Sequence, residues 1–210
     1  MKEDKWILII ILVVALLIGG LWFLNRSIES IPVDTSMLVR DDSQILGKKD
    51  ALVTVVEFGD FQCPSCAALN PVIKDTLAKY SEDQVSFVYR NFPLSQHQFA
   101  VISAQAAEIA GDQGKYWEMN ALIYERQNEW SLSSNPRDLF IGYAETLGLN
   151  ISQFTTDLDA GKYKDKIDRD AADGISLGIN STPTIYVNGI KIMVAGGDSL
   201  VNAIDSALAS

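Results

Sequence analysis

Cysteine and histidine are nearly absent: the chain has two Cys and one His in 210 residues. That scarcity excludes a self-contained four-ligand zinc site built from Cys and His. It also excludes a disulfide-dense scaffold, which needs more bridges. Positive charge is short as well, with 17 Lys and Arg against 27 Asp and Glu and a net charge of −10. A phosphate-backbone partner needs clustered Lys and Arg, so no nucleic acid is expected as a partner. Internal repeats and low-complexity segments are missing. Charge disappears altogether between Trp6 and Leu24.

That uncharged run, WILIIILVVALLIGGLWFL, is long enough to cross a bilayer as a helix, at ~1.5 Å per residue against ~30 Å of hydrocarbon. Trp6, Trp22 and Phe23 lie near its ends, where aromatic rings favour the membrane interface. The rival is a cleaved signal peptide, which has a shorter apolar core and a small-x-small cleavage site. Here the exit reads Asn25-Arg26-Ser27-Ile28-Glu29, which lacks Ala-x-Ala. Residues 1–26 are therefore expected as an uncleaved anchor that contacts the membrane through residues 6–24. Lys2 and Lys5 precede the span and Arg26 follows it, which favours a cytoplasmic N-terminus and an extracytoplasmic C-terminal domain. Residues 27–44 are polar without sustained periodicity and read as a tether. The remainder, 45–210, suits one domain of ordinary size.

Ala51 to Phe58 is β-branched and nearly all apolar, as a buried central strand should be. Pro64 is placed to open a helix after Cys63, and Leu69, Val72, Ile73, Leu77 and Tyr80 recur at helical spacing. Pro71 is expected to kink that helix. Val85 to Tyr89 reads as a second strand, completing a βαβ unit. Further helices are expected over Phe99–Ala110, Tyr116–Arg126, Pro136–Leu147, Ile151–Leu158 and Lys162–Leu177, with Gly148 and Gly178 as stops. Ile185-Tyr186-Val187, Asn188-Gly189 and Ile190 to Val194 form a hairpin signal, since Asn-Gly supplies the positive φ angles of a type I′ turn. A last helix is expected over Ser199–Leu208, capped by Asp198 or Ser199.

The chemistry concentrates in Cys63-Pro64-Ser65-Cys66. Two thiols at i and i+3 on a first helical turn can close a small disulfide ring. The first faces free backbone N–H groups that favour a thiolate, the attacking species in disulfide exchange. The alternatives are half of a metal site, for which this chain lacks the other ligands, and a static bridge. Thr182-Pro183-Thr184 stands at the entry of a strand, where proline often marks an unusual bend; only ~5–6% of X-Pro bonds are cis, so composition does not argue for one here. His97 is expected to be structural or on the surface. Trp117 and Trp130 are expected in the core.

Taken together, these motifs resemble the DsbA-like thioredoxin-fold family of thiol–disulfide oxidoreductases. The resemblance rests on Leu46 to Cys66, on Tyr89-Arg90-Asn91-Phe92-Pro93-Leu94 with His97, on Gln113 to Met119, and on Gly178 to Gly189. It covers the chain from about Ile45 to the C-terminus, and the anchored arrangement is similar to Gram-positive and archaeal members. It implies an α/β thioredoxin-like fold, with a helical insertion at about 95–178 and one N-terminal transmembrane helix before it. It further implies Cys63 as exposed nucleophile, Cys66 as buried resolving thiol and Pro183 as a cis-proline facing them, with Thr182, Pro64 and Ser65 meeting a bound peptide. Glu57 matches the family's buried acidic residue, a proton relay to Cys66; the alternative is a carboxylate that reaches solvent. Cysteine-containing exported proteins are the implied substrates and a membrane redox partner the implied reoxidant. No metal or organic cofactor is implied. Two departures matter: Gln62 stands where thioredoxin has Trp, and Ser65 where the strongly oxidising enterobacterial type has His. The direction therefore stays open between oxidase and reductase or isomerase. A non-catalytic binding or chaperone module is the reading from another class.

Overall fold

The computed structural model describes residues 33–210, together with the single positions Val14 and Leu16. The expected membrane span and the first part of the tether lie outside the described residues. Among the described residues no helix is long and apolar enough to cross a membrane.

The elements run α1 (Thr35–Leu38), β1 (Gln44–Leu46), β2 (Val53–Gly59), α2 (Pro64–Leu77), β3 (Val85–Asn91), α3 (Ala100–Gly111), α4 (Tyr116–Glu125), α5 (Gln127–Trp130), α6 (Pro136–Thr146), α7 (Ile151–Asp159), α8 (Lys164–Ser176), β4 (Thr184–Val187), β5 (Ile190–Ile192) and α9 (Gly197–Leu208). They form a five-stranded sheet in the order β1-β3-β2-β4-β5. β2 and β3 are parallel, as the connecting α2 requires, and every other pair is antiparallel. The expected βαβ unit, helical insertion and closing hairpin are therefore present, with α3 to α8 as the insertion.

β2 is central and buried on both faces, which is why its sequence lacks alternation. On one face Val53, Val55, Phe87, Tyr89, Ile185 and Val187 pack against α2, α9 and the insertion. On the other, Val56, Phe58, Val88 and Tyr186 pack against Leu38, Phe92 and Ile179. α8 covers this second face closely: a Cβ added at Gly174 would lie 2.6 Å from the Phe92 ring. The β4–β5 turn is as expected, with φ of 44° at Asn188 and 82° at Gly189. Asn188 also clamps the start of β2, accepting from Thr54 N at 2.8 Å.

Two details differ from expectation. α1 lies N-terminal to the domain start expected at residue 45, and β1 begins one residue before it. Leu38 is wholly buried, and its carbonyl accepts from Arg90 Nη1 at 2.7 Å. Residues 33–44, expected as part of the tether, thus pack on the domain, because one apolar anchor and one buried acceptor hold a segment too short to show a period. As expected, Pro71 lies inside α2, which continues to Leu77, so the proline leaves one helical bond unmade without ending the helix. α9 begins two residues early: Gly196 is its cap, and Ser199 in the first turn accepts from Ala195 N at 3.1 Å and Gly196 N at 3.3 Å.

Candidate active site

The site begins where β2 ends. Asp60 closes a turn, its carbonyl accepting from Cys63 N at 3.0 Å and its Oδ1 from Gln62 N at 2.7 Å. Cys63 is the N-cap of α2, extended at φ −72° and ψ 120°, and Pro64 is the first helical residue. An extended cap residue followed by proline carries the chain into the helix with its first-turn N–H groups unpaired. Cys66 follows one turn on and is wholly buried, and Cys63, expected to be exposed, is itself only 6% exposed because the turn and the entry of β4 cover it. Neither thiol is bridged.

The two thiols are electrostatically unlike. Hydrogen bonding from the Cys66 thiol, with further help from Thr182 and the Cys66 and Ser65 N–H groups, overcomes burial and pulls Cys63 down to about 5. The same Cys63–Cys66 hydrogen bond, then burial, then the nearby Glu57 carboxylate push Cys66 far above its ordinary range. One thiol is a stable thiolate at neutral pH and its neighbour is held protonated.

The antiparallel register Glu57↔Ile185 and Phe58↔Thr184 brings the entry of β4 beside the dithiol turn. There the Thr182–Pro183 bond is cis, and Cys63 Sγ lies 3.5 Å from the Thr182 carbonyl oxygen. Pro64 and Ser65 are exposed. A groove of about 710 Å³ opens between Ser65, Leu69 and Val72 on α2 and Pro183, Ile192 and Met193.

Glu57 lies on the face of β2 that carries Val53 and Val55, opposite Tyr89 and Ile185 in the ladders. It is 1% exposed, so the solvent-reaching alternative does not hold. Its Oε1 finds no hydrogen-bond partner among the described residues. Burial, and secondly the charge of Cys63, raise it to about 8. Phe61 packs 5.0 Å from Tyr89 and 4.9 Å from Tyr124, and the two tyrosine hydroxyls are 2.7 Å apart.

The structure adds four residues that the sequence did not single out in this role. Asp60 Oδ2 accepts from Leu94 N at 2.9 Å and pairs with His97 Nδ1 at 2.7 Å, so His97 braces the turn from behind. Gln62 Oε1 accepts from Phe99 N at 2.6 Å. Gln127 Nε2 donates to the carbonyls of Phe61 at 2.6 Å and Cys63 at 3.0 Å. Gln62 and Asp60 stand inside the motif around the cysteines, but Gln127 carries no sequence signal. Trp130 is in the core, and Trp117 is half-buried with its Nε1 3.4 Å from the Ile45 carbonyl. Among the described residues no group of three or more His, Cys, Asp or Glu could hold a metal ion.

A dithiol at a strand-to-helix turn, facing a cis-proline across the sheet, defines a class: a thioredoxin fold with a Cys-x-x-Cys site. A family model described as thioredoxin matches residues 40–206, and the chain belongs to that family. It is similar to the structure of oxidised BdbD from Bacillus subtilis, with 27% identity and a TM-score of 0.71 over 86% of this chain and 98% of that one. A thioredoxin-like oxidoreductase from Silicibacter pomeroyi is 25% identical, with a TM-score of 0.71 over 85% of this chain and 99% of that one. DsbA-like proteins are thus among its structural neighbours, including alpha-DsbA1 of Wolbachia pipientis in fold. A curated relative, a Na(+)/H(+) antiporter NhaA 1 of Salinispora arenicola, is 38% identical over 76% of this chain, which spans 23% of the antiporter's length.

Proposed function

We propose that the chain is a membrane-tethered, extracytoplasmic thiol–disulfide oxidoreductase that oxidises substrate thiols through Cys63 and Cys66. The observation that carries the reading is the unbridged Cys63 and Cys66 pair opening α2, with Cys63 Sγ 3.5 Å from the Thr182 carbonyl at the cis Thr182–Pro183 bond; in that setting Cys63 is lowered to about 5 and Cys66 is raised above its ordinary range. In the oxidising direction a substrate thiolate attacks Cys63 Sγ and the Cys63–Cys66 bond breaks, with Cys66 leaving and taking a proton. A second substrate thiolate then attacks the substrate sulfur of the mixed disulfide. Cys63 leaves as its thiolate, two electrons having passed to the protein. A stable Cys63 thiolate is a good leaving group, and it lowers the energy of the reduced dithiol, which makes the disulfide more oxidising.

Glu57 is the proton donor and acceptor for Cys66 in this scheme, and Pro183, Thr182, Pro64 and Ser65 border the bound peptide. Substrates are cysteine-containing exported proteins, and a membrane redox partner, of the quinone-linked type, restores the disulfide. Residues 6–24 hold the protein in the membrane with its N-terminus in the cytoplasm. The reverse direction, reduction or isomerisation, uses the same steps backwards.

Cys66→Ala is expected to accumulate mixed disulfides with client proteins, and Cys63→Ala to trap none; trapping in the opposite sense overturns the assignment of the nucleophile. The equilibrium potential in a glutathione buffer decides direction: a value well above the glutathione pair supports oxidation, and one well below reverses it. Protease added to intact cells should digest residues 27–210, and a mature N-terminus near residues 27–30 would refute the anchor.

A further inference from the structure

We propose that Gln127, on the helical insertion, is a positioning residue for Cys63, setting the orientation of the peptide that carries this thiol into α2. The inference rests on the reading of Cys63 as the thiol that exchanges with substrate.

The insertion is shaped to deliver this side chain. α4 ends at Glu125, and Arg126, at φ −106° and ψ 21°, breaks the helix and restarts it as α5. The break turns Gln127 inward, where it is buried. Trp130 fixes α5 from behind: it is wholly buried, donates from Nε1 to the Ile123 carbonyl at 2.7 Å and packs 5.3 Å from Phe140. Gln127 then donates to two carbonyls of the dithiol turn, those of Phe61 and Cys63, at 2.6 and 3.0 Å.

The Cys63 carbonyl is an unusual point of control. Its peptide partner is Pro64, which has no N–H, so the orientation of that peptide is expressed only through the carbonyl. This oxygen accepts twice, from Ala67 N at 3.1 Å in the first helical bond and from Gln127. Two donors converging on one acceptor hold the peptide plane. That plane determines how the Ser65 and Cys66 N–H groups meet Cys63 Sγ. Gln62 Oε1, bonded to Phe99 N, ties the same turn to the other end of the insertion. Without Gln127 two buried carbonyls lose a donor, and the first turn is free to rotate away from the thiolate.

The test compares reduced full chains, reading Cys63 by its alkylation rate against pH. Gln127→Met keeps length and removes both donors. It should raise the Cys63 titration by about one unit and make the dithiol more reducing. Gln127→Glu places a carboxylate before the same carbonyls and should raise it further; it also decides the matter if Gln127→Met does not fold. Phe154→Leu, which loosens the core under α7 without touching α5 or the turn, should lower the melting temperature and leave the titration where it was. An unchanged titration in a folded Gln127 variant overturns the proposal, as does an equal shift in Phe154→Leu. Loss of exchange activity in the parent chain would instead overturn the redox reading, since the alkylation measurement does not depend on it.

Discussion

Two charged side chains sit one register step apart in the centre of the sheet and have opposite surroundings. Arg90 on β3 is wholly buried, as is Glu57 on β2. Arg90 faces α8 and is fully answered: Nε donates to Asp170 at 2.8 Å, Nη1 to the Leu38 carbonyl at 2.7 Å and Nη2 to Asp173 at 2.5 Å. Its guanidinium also lies 5.4 Å from the centre of the Phe58 ring. Beside it, Asn91 donates to Glu108 at 2.8 Å, Gln44 does so at 2.9 Å, and Lys166 pairs with the same carboxylate. Glu57 faces the dithiol and has an oxygen without a partner among the described residues. A buried charge with a complete set of partners is architecture, because moving its proton would break several bonds at once. A buried carboxyl left incomplete stays near the point of titration, the range useful for passing protons.

The comparison breaks most visibly at Arg90. Arg90→Leu strips the buried Asp170 of its short ion pair, leaving Asn91 at 3.3 Å and Lys166 at 3.8 Å, and frees the Leu38 carbonyl, so urea unfolding should report a loss of about 3–5 kcal/mol. A loss below about 1 kcal/mol would mean that water reaches Asp170 and the contrast with Glu57 is false.

Glu57→Gln should have the opposite sign. Glu57 keeps its proton to about 8 in the folded chain against 4.5 as its ordinary value. Between these values the folded state binds more protons, so this group's contribution to stability falls as pH rises and is flat above. The penalty at alkaline pH is on the order of 5 kcal/mol at most. Glu57→Gln removes that slope, so the variant should gain on the parent as pH rises through this window and match it most nearly below it. Cys63, lowered from 9.0 to about 5, contributes a slope of the other sign. Its stabilisation is present above the higher value and lost as pH falls through the lower, so the readout is the difference between variant and parent. Single-turnover reduction of a substrate disulfide, in which Cys66 must lose its proton to attack Cys63 Sγ, should show resolution of the mixed disulfide slowed by ~10²-fold with its formation little changed. Equal slowing of both steps removes Glu57 from the relay.

The smallest effect sharpens the boundary between paired and exposed charge. Arg40 binds Asp173 at 2.5 and 2.6 Å, but its side chain is 41% exposed, and Asp173 keeps Arg90 when Arg40 is gone. Arg40→Ala should cost less than about 1 kcal/mol and less still at high salt. Asp173 is held below the ordinary carboxylate range, first by Arg40 and also by Arg90. Its contribution is therefore complete above the unfolded value and fades as pH falls through the lower folded one. A loss as large as that of Arg90→Leu would make Arg40 part of the buried network.

Local pattern determined much of this protein. The β-branched run of β2, the Cys-Pro-Ser-Cys turn opening a helix, the long insertion and the Asn188-Gly189 hairpin all follow from neighbours in the chain, because strand burial, helix starts and positive φ angles are decided within a few residues. Tertiary structure decided the rest. Glu57 could be read as relay or as solvent-facing until the faces of β2 were covered. Arg90 meets Asp170 across 80 positions, and Gln127 reaches Cys63 across 64. α1 and β1 are too short for a period: α1 is held by Leu38 and its carbonyl, and β1 by its antiparallel ladder with β3. A hydrogen bond between distant residues leaves no periodic trace in sequence. What a buried charge does depends on which groups the fold brings to it.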